Sequence, residues 1–206
     1  MTDASQFLPD RRSLTALREA AAGCRGCELY EDATQTVFGE GRAKARMVLV
    51  GETPGDQEDR QGKPFVGPAG RELDRALERA GIDRKDAYVT NAVKHFRFQE
   101  RGKRRIHQKP DGRHVKACRP WLNAELGLIR PEALIVMGAT AAQALLGASF
   151  RVTKERGKLL ESDLAPIVVA TIHPSAILRE RDDDARHLQR EAFTSDLMIA
   201  ADALHR

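Results

Sequence analysis

The run Met47-Val48-Leu49-Val50-Gly51-Glu52-Thr53-Pro54-Gly55 decides the fold. Four consecutive apolar residues without polar alternation read as a strand buried on both faces, and such strands belong to parallel sheets covered by helices on each side. Gly51 ends the strand. Pro54 stiffens the loop that follows, in which Gly51 and Gly55 let the backbone approach a ligand closely. The same pattern recurs along the chain. Ala87-Tyr88-Val89-Thr90 ends at Asn91, Leu134-Ile135-Val136-Met137 ends at Gly138, and Ile167-Val168-Val169-Ala170 runs into Thr171-Ile172-His173-Pro174-Ser175. Helical spacing fills the intervals: Ser13 caps a turn carrying Leu14 and Leu17, Leu73 and Leu77 precede Gly81, and Ala185–Leu204 closes the chain. Val115, Cys118, Leu122 and Leu126 form a further helix, which Pro120 is expected to kink or restart. The prediction is an α/β fold: a three-layer α/β/α domain over residues 1–206 with a central, mostly parallel four-stranded sheet. Ligands in such folds bind beyond the carboxyl ends of the strands, which nominates Glu52, Asn91 and His173 as one convergent site.

The net charge of +4 looks mild but is unevenly spread. Lys94 to Arg119 holds ten Lys/Arg against two Asp/Glu, so a segment of +8 sits on a body of −4. Most such blocks are solvated surface, but a basic stripe on an acidic body also suits polyphosphate or nucleic acid. Ala133 to Phe150 runs 18 residues without a charge, the length of a short membrane span. It contains Gly138, Thr140, Gln143, Gly147 and Ser149 and reads better as a buried strand, turn and helix. No leader segment and no membrane partner are expected, and the location expected is cytoplasmic. Three cysteines are too few for a disulfide framework and agree with a reducing compartment.

Cys24-Arg25-Gly26-Cys27 has a spacing that lets two thiolates reach one metal centre; the pair also suits redox chemistry or two small buried hydrophobes. Cys118 supplies a third thiolate, and His95, just past the Asn91 strand end, is the leading fourth ligand. Three Cys and one His suit structural zinc or an iron–sulfur cluster, and residue types do not separate them. Glu52 is placed to polarise water, orient a histidine or bind a cation, although a loop acid is often only a cap. Phe65, in the rigid loop Gly62-Lys63-Pro64-Phe65-Val66-Gly67-Pro68, is either a local core plug or a ring on which a base stacks.

Five ordered motifs then share one resemblance. Gly51-Glu52-Thr53-Pro54-Gly55-Asp56, residues 62–70 (GKPFVGPAG), 88–94 (YVTNAVK), Cys118-Arg119-Pro120 and 173–179 (HPSAILR) together resemble the family 4 uracil-DNA glycosylases. The resemblance implies a [4Fe-4S] cluster on Cys24, Cys27, His95 and Cys118, and a partner in uracil-containing DNA, single-stranded or duplex, met by a monomer. It implies that Phe65 stacks on uracil, Asn91 reads its N3/O4 edge, and His173 donates to O2. Glu52 would lie by the reacting sugar carbon, with Gly51, Thr53, Gly55 and Asp56 in the surrounding loop. The segment from Ser175 to Arg179 would enter the DNA groove with Arg179 on phosphate. Flipping a base out and reading its edge is what such chemistry requires.

The sequence departs from that family at His95, which stands where family 4 proteins carry a Cys, and in the long insert at about 97–113. The insert's Lys103-Arg104-Arg105-Ile106-His107 resembles the UDGX subgroup, in which the insert histidine attacks the sugar and leaves the protein covalently fixed to DNA. On that resemblance His107 is the nucleophile, with Lys103, Arg104 and Arg105 drawing the insert towards phosphates. Thr53 stands where this subgroup is expected to carry Gln. Two other readings use the same residues: an ordinary turnover glycosylase, and a non-catalytic nucleic-acid-binding module stabilised by zinc.

Overall fold

The computed structural model describes residues 2–205. After a short 3-10 turn come α1 (Leu14–Ala21), capped by the Ser13 side chain as its sequence position predicts, and α2 (Leu29–Asp32). Then follow β1 (Met47–Gly51), α3 (Asp56–Gln61), α4 (Pro68–Arg79) and β2 (Ala87–Asn91). The basic insert forms β3 (Phe98–Arg101) and β4 (Arg104–His107). The remainder is α5 (Gly112–Ile129), β5 (Ala133–Met137), α6 (Ala139–Leu146), α7 (Val152–Glu155), β6 (Ile167–Thr171), α8 (Pro174–Arg179) and α9 (Asp183–Leu204).

The four apolar runs pair in the order β2-β1-β5-β6, every pair parallel. The sheet is therefore wholly parallel. Side chains alternate between its faces, as a strand period of two requires. Val48, Val50, Leu134, Val136 and Val168 pack under Leu122, Leu126 and Ile129 of α5 and Ala141 and Ala142 of α6. Met47, Leu49, Ala133, Ile135 and Val169 pack under Leu73 and Leu77 of α4 and Phe193 and Leu197 of α9. These are the three expected layers. A third cluster, with Leu17, Cys24, Phe38, Val93, Cys118 and Trp121, joins the amino-terminal arm to α5.

Two local features sharpen the sequence reading: the helix does not restart at Pro120, and the insert is ordered. Pro120 lies inside α5, which runs unbroken from Gly112 to Ile129. One forfeited ladder bond is outweighed by neighbours such as Trp121 and Leu122, both fully buried. The insert is an antiparallel hairpin turning at Gly102, with Phe98 opposite His107 and Gln99 opposite Ile106.

Lys94, one of the ten cations in the basic segment, belongs to the interior. Its Nζ donates to Thr90 Oγ1 at 2.6 Å and to the Asn91 carbonyl at 2.9 Å, and it pairs with Glu125 Oε2. Glu125 also accepts from Tyr88 Oη at 2.8 Å, from Thr90 Oγ1 and from the Gly39 N–H. Both charges are buried, so the pair holds only because every remaining lone pair and proton is matched. Glu125→Ala strands the Lys94 ammonium. We expect it to lower the unfolding free energy by about 3–5 kcal/mol, read from the denaturant midpoint. A loss below about 1 kcal/mol, typical of an exposed pair, would contradict this account.

Candidate active site at the strand ends

β1 and β2 end in register, so Gly51 stands opposite Asn91. A Cβ on Gly51 would lie 2.5 Å from both Asn91 Oδ1 and Phe65 Cζ, so the glycine is what lets ring and amide meet. Phe65 is buried in the left-handed region at φ 55°, a strained setting for an aromatic residue in a short loop. Its ring lies 5.8 Å from that of His173, tilted by 31°. Ring, amide and imidazole thus meet beyond the carboxyl end of the sheet.

His173 caps α8. Its Nδ1 accepts from the Ser175 N–H at 3.2 Å and faces Ser175 Oγ at 2.8 Å, while Arg179 Nη1 donates to that hydroxyl at 3.0 Å. A neutral imidazole whose Nδ1 accepts carries its proton on Nε2. That Nε2 is buried without a partner, and so is Asn91 Oδ1. One donor and one acceptor are therefore held ready for a ligand, each at the cost of its lost hydration. Burial, reinforced by the positive field of Arg179, pushes the His173 pKa down to about 4.

Glu52 follows β1. One carboxylate oxygen, Oε2, accepts a hydrogen bond from Thr140 Oγ1 of α6. The other, Oε1, lies 3.9 Å from His107 Nε2. The hairpin brings His107 to this point: it lies two residues beyond Arg105 on the same face of β4, with Arg105 14 % exposed and His107 46 % exposed at the rim. Burial holds the His107 pKa below the ordinary value, with the Glu52 carboxylate opposing. His107 therefore meets the pocket chiefly as a neutral imidazole.

The other predicted residues divide. Arg105 was expected on DNA, but its side chain is only 14 % exposed and it clamps the hairpin to α3. Its Nε meets Asp56 Oδ1 at 2.5 Å and its Nη1 meets Asp59 Oδ2 at 2.7 Å, while its guanidinium lies over the rings of Phe96 and Phe98. Asp56, expected beside the substrate, is occupied by Arg105 and Arg60. The Thr53 hydroxyl donates to the His95 carbonyl at 2.9 Å rather than into the pocket. The Gly55 N–H donates to Glu58 Oε2. Lys103 and Arg104 stand exposed beside the hairpin turn, and Arg179 is exposed at the end of α8.

Two participants escaped the sequence reading. Glu58 is buried and joins the two pocket loops, accepting from Gly55 N–H at 3.1 Å and Gly67 N–H at 2.7 Å. Its place three residues after a loop glycine, at the start of an acidic helix, is a capping-box signal. Thr140 lies two residues past Gly138, inside the uncharged run, where nothing marked it as polar machinery.

Cys24 and Cys118 are buried in the third cluster, with Cys27 packed against it. The Trp121 Nε1–H points at Cys24 Sγ and the Lys94 N–H at Cys118 Sγ, each at 3.2 Å. Burial pushes the Cys118 thiol up to about 12 and His95 down to about 4. His95 Nε2 lies 2.9 Å from Thr36 Oγ1, whose proton goes to the Ala21 carbonyl. Nε2 is therefore the donor, which leaves the Nδ1 lone pair unprotonated. Among the described residues, no three His, Cys, Asp or Glu side chains gather closely enough to hold a metal ion. No helix among them is long and apolar enough to cross a membrane.

Fold and pocket define the class: a three-layer α/β/α protein whose strand ends hold an aromatic face, an amide edge, a neutral imidazole and a carboxylate. The family model described as the uracil DNA glycosylase superfamily matches residues 38–197. The type-4 uracil-DNA glycosylase of Thermotoga maritima is 36% identical over 174 residues, covering 84% of this chain and 87% of that protein. Its counterpart from Archaeoglobus fulgidus is 34% identical over 191 residues, covering 89% of each. The chain belongs to the uracil-DNA glycosylase superfamily.

The His173 geometry carries a pH prediction. An unfolded chain binds a proton at this histidine below about pH 6.5, and the folded imidazole refuses it until about pH 4. The stability that depends on a neutral His173 is therefore full above pH 6.5 and lost as the pH falls towards 4. NMR titration should find the ring neutral at pH 5.5, and His173→Asn should flatten the acid loss of stability. A titration midpoint near 6.5 would contradict the buried, partnerless Nε2–H.

Proposed function

We propose that the protein excises uracil from DNA and is then retained covalently on the sugar C1′ through His107, as the UDGX-like insert implies. The observation that supports this reading is the seat of His107: a largely neutral imidazole, delivered by a clamped hairpin, facing Glu52 beside the Phe65–Asn91–His173 pocket. The C1′–N1 bond breaks and its electron pair leaves with uracil. The His173 Nε2–H stabilises the charge growing on O2, Asn91 pairs with the N3/O4 edge, and Phe65 stacks on the ring. The lone pair of one His107 nitrogen captures the resulting oxocarbenium carbon, and Glu52 accepts the proton carried by the other nitrogen. An N-alkylated imidazole is a poor leaving group, so the reaction stops there. Lys103, Arg104, Ser175 and Arg179 are proposed to meet the DNA backbone.

The donor set of Cys24, Cys27, Cys118 and His95 suits a [4Fe-4S] cluster. Two of the thiols have an N–H directed at sulfur, the third packs against the same buried cluster, and the imidazole is neutral with a lone pair available. A four-iron cluster also spaces its ligands more widely than a single ion does. When bound it would supply a structural clip between the amino-terminal arm and α5. The reaction steps above use only side chains of the pocket.

The test incubates the protein with single-stranded and duplex oligonucleotides containing one uracil, followed by boiling in SDS. A uracil-dependent protein–DNA band is expected for the wild type and none for His107→Ala. Repeated release of uracil without that band would make the protein an ordinary turnover glycosylase. Binding without either product would leave only a nucleic-acid-binding module.

A further inference from the structure

We infer that Thr140 is the positioning residue for Glu52, the group through which the third strand end acts on the reaction. The inference rests on the glycosylase reading above and adds a residue to it. Three of the four strand ends place a side chain in the pocket: Glu52 after β1, Asn91 at the end of β2 and His173 after β6. β5 ends at Met137, and Gly138 has no side chain to offer. Its φ of 89° turns the chain at once into α6, and a Cβ there would lie 2.9 Å from His173 Cβ. The start of α6 is therefore pressed against the pocket, with Thr140 as its second residue.

Thr140 is buried at 4 % exposure, and among the described residues its only side-chain hydrogen bond goes to Glu52 Oε2. A free carboxylate on a loop rotates and presents either oxygen to solvent. Tying one oxygen to a hydroxyl on a packed helix fixes the carboxylate plane and leaves Oε1 to face His107 Nε2 at 3.9 Å. The division of labour between the two oxygens follows from this bond: Oε2 is anchored, and Oε1 meets the imidazole. A buried threonine could instead fill space, but valine would fill the same space without stranding a hydroxyl.

The substitutions that separate these roles are Thr140→Val, which keeps the shape and removes the donor, and Thr140→Ser, which keeps the donor. On uracil-containing DNA under single-turnover conditions, Thr140→Val should slow formation of the His107 adduct roughly 100-fold, the scale of a misplaced catalytic group. Its affinity for the same DNA carrying a non-cleavable 2′-fluoro-deoxyuridine should stay unchanged within about twofold, and Thr140→Ser should recover most of the rate. A Thr140→Val protein that reacts at the wild-type rate, or a Thr140→Ser protein as slow as valine, would overturn the inference. If wild-type protein proves inert towards uracil in DNA, the functional reading fails by itself. Crystal structures of wild type and Thr140→Val then decide the inference: Glu52 must leave its orientation in the variant, and an unmoved carboxylate would overturn it.

Discussion

Parallel strands that start at one level also end at one level when they have equal length, and this governs the whole molecule. Met47 is paired with Ala87 and with Ala133, and Ala133 with Ile167, so β2, β1, β5 and β6, all five residues long, run flush. Their carboxyl ends deliver Asn91, the Glu52 loop, the start of α6 and the His173 cap to one rim. A slip of one residue in any strand would send its side chains to the opposite helical layer, moving Leu49 or Ile135 from the α4–α9 side to the α5–α6 side, where other residues already fill the space. The hydrophobic pattern that fixes the register therefore also fixes the pocket.

Onto this rim the chain adds polar braces. Glu58 ties the loop after β1 to the loop carrying Phe65. Arg105, held by Asp56 and Asp59, fixes the hairpin so that His107 overlooks Glu52. Lys94 and Glu125 secure the backbone at Asn91 from below, through the bond from Nζ to its carbonyl. Asn91 Oδ1 and His173 Nε2 are buried at the rim without hydrogen-bond partners, as Gln189 Oε1 is on α9. Each forfeits about 1–3 kcal/mol of hydration. At the rim a ligand with one acceptor and one donor could supply both missing bonds.

The fold was legible because uninterrupted apolar runs have few alternative uses, and the strand-end rule then found Glu52, Asn91 and His173. The insert was legible as charge but not as structure. Its strands are only four residues long and both faces carry charged side chains, so alternation was hidden under the cations. For the same reason Arg104 and Arg105 looked alike in sequence, although one faces solvent and the other is clamped between two aspartates and two phenylalanine rings. Lys94 was counted with the surface charge because its partner Glu125 lies 31 positions away. Thr140 was hidden by its setting: a hydroxyl inside an apolar run reads as a tolerated core residue until a carboxylate is found beside it.

The measurement that tests this account most directly is intact-mass and peptide analysis of the protein after reaction with an oligonucleotide carrying one deoxyuridine. The account predicts a mass gain equal to the oligonucleotide less uracil, mapped by peptide fragmentation to His107. An unmodified protein mass beside accumulating free uracil would contradict it, as would an adduct mapped to any other side chain.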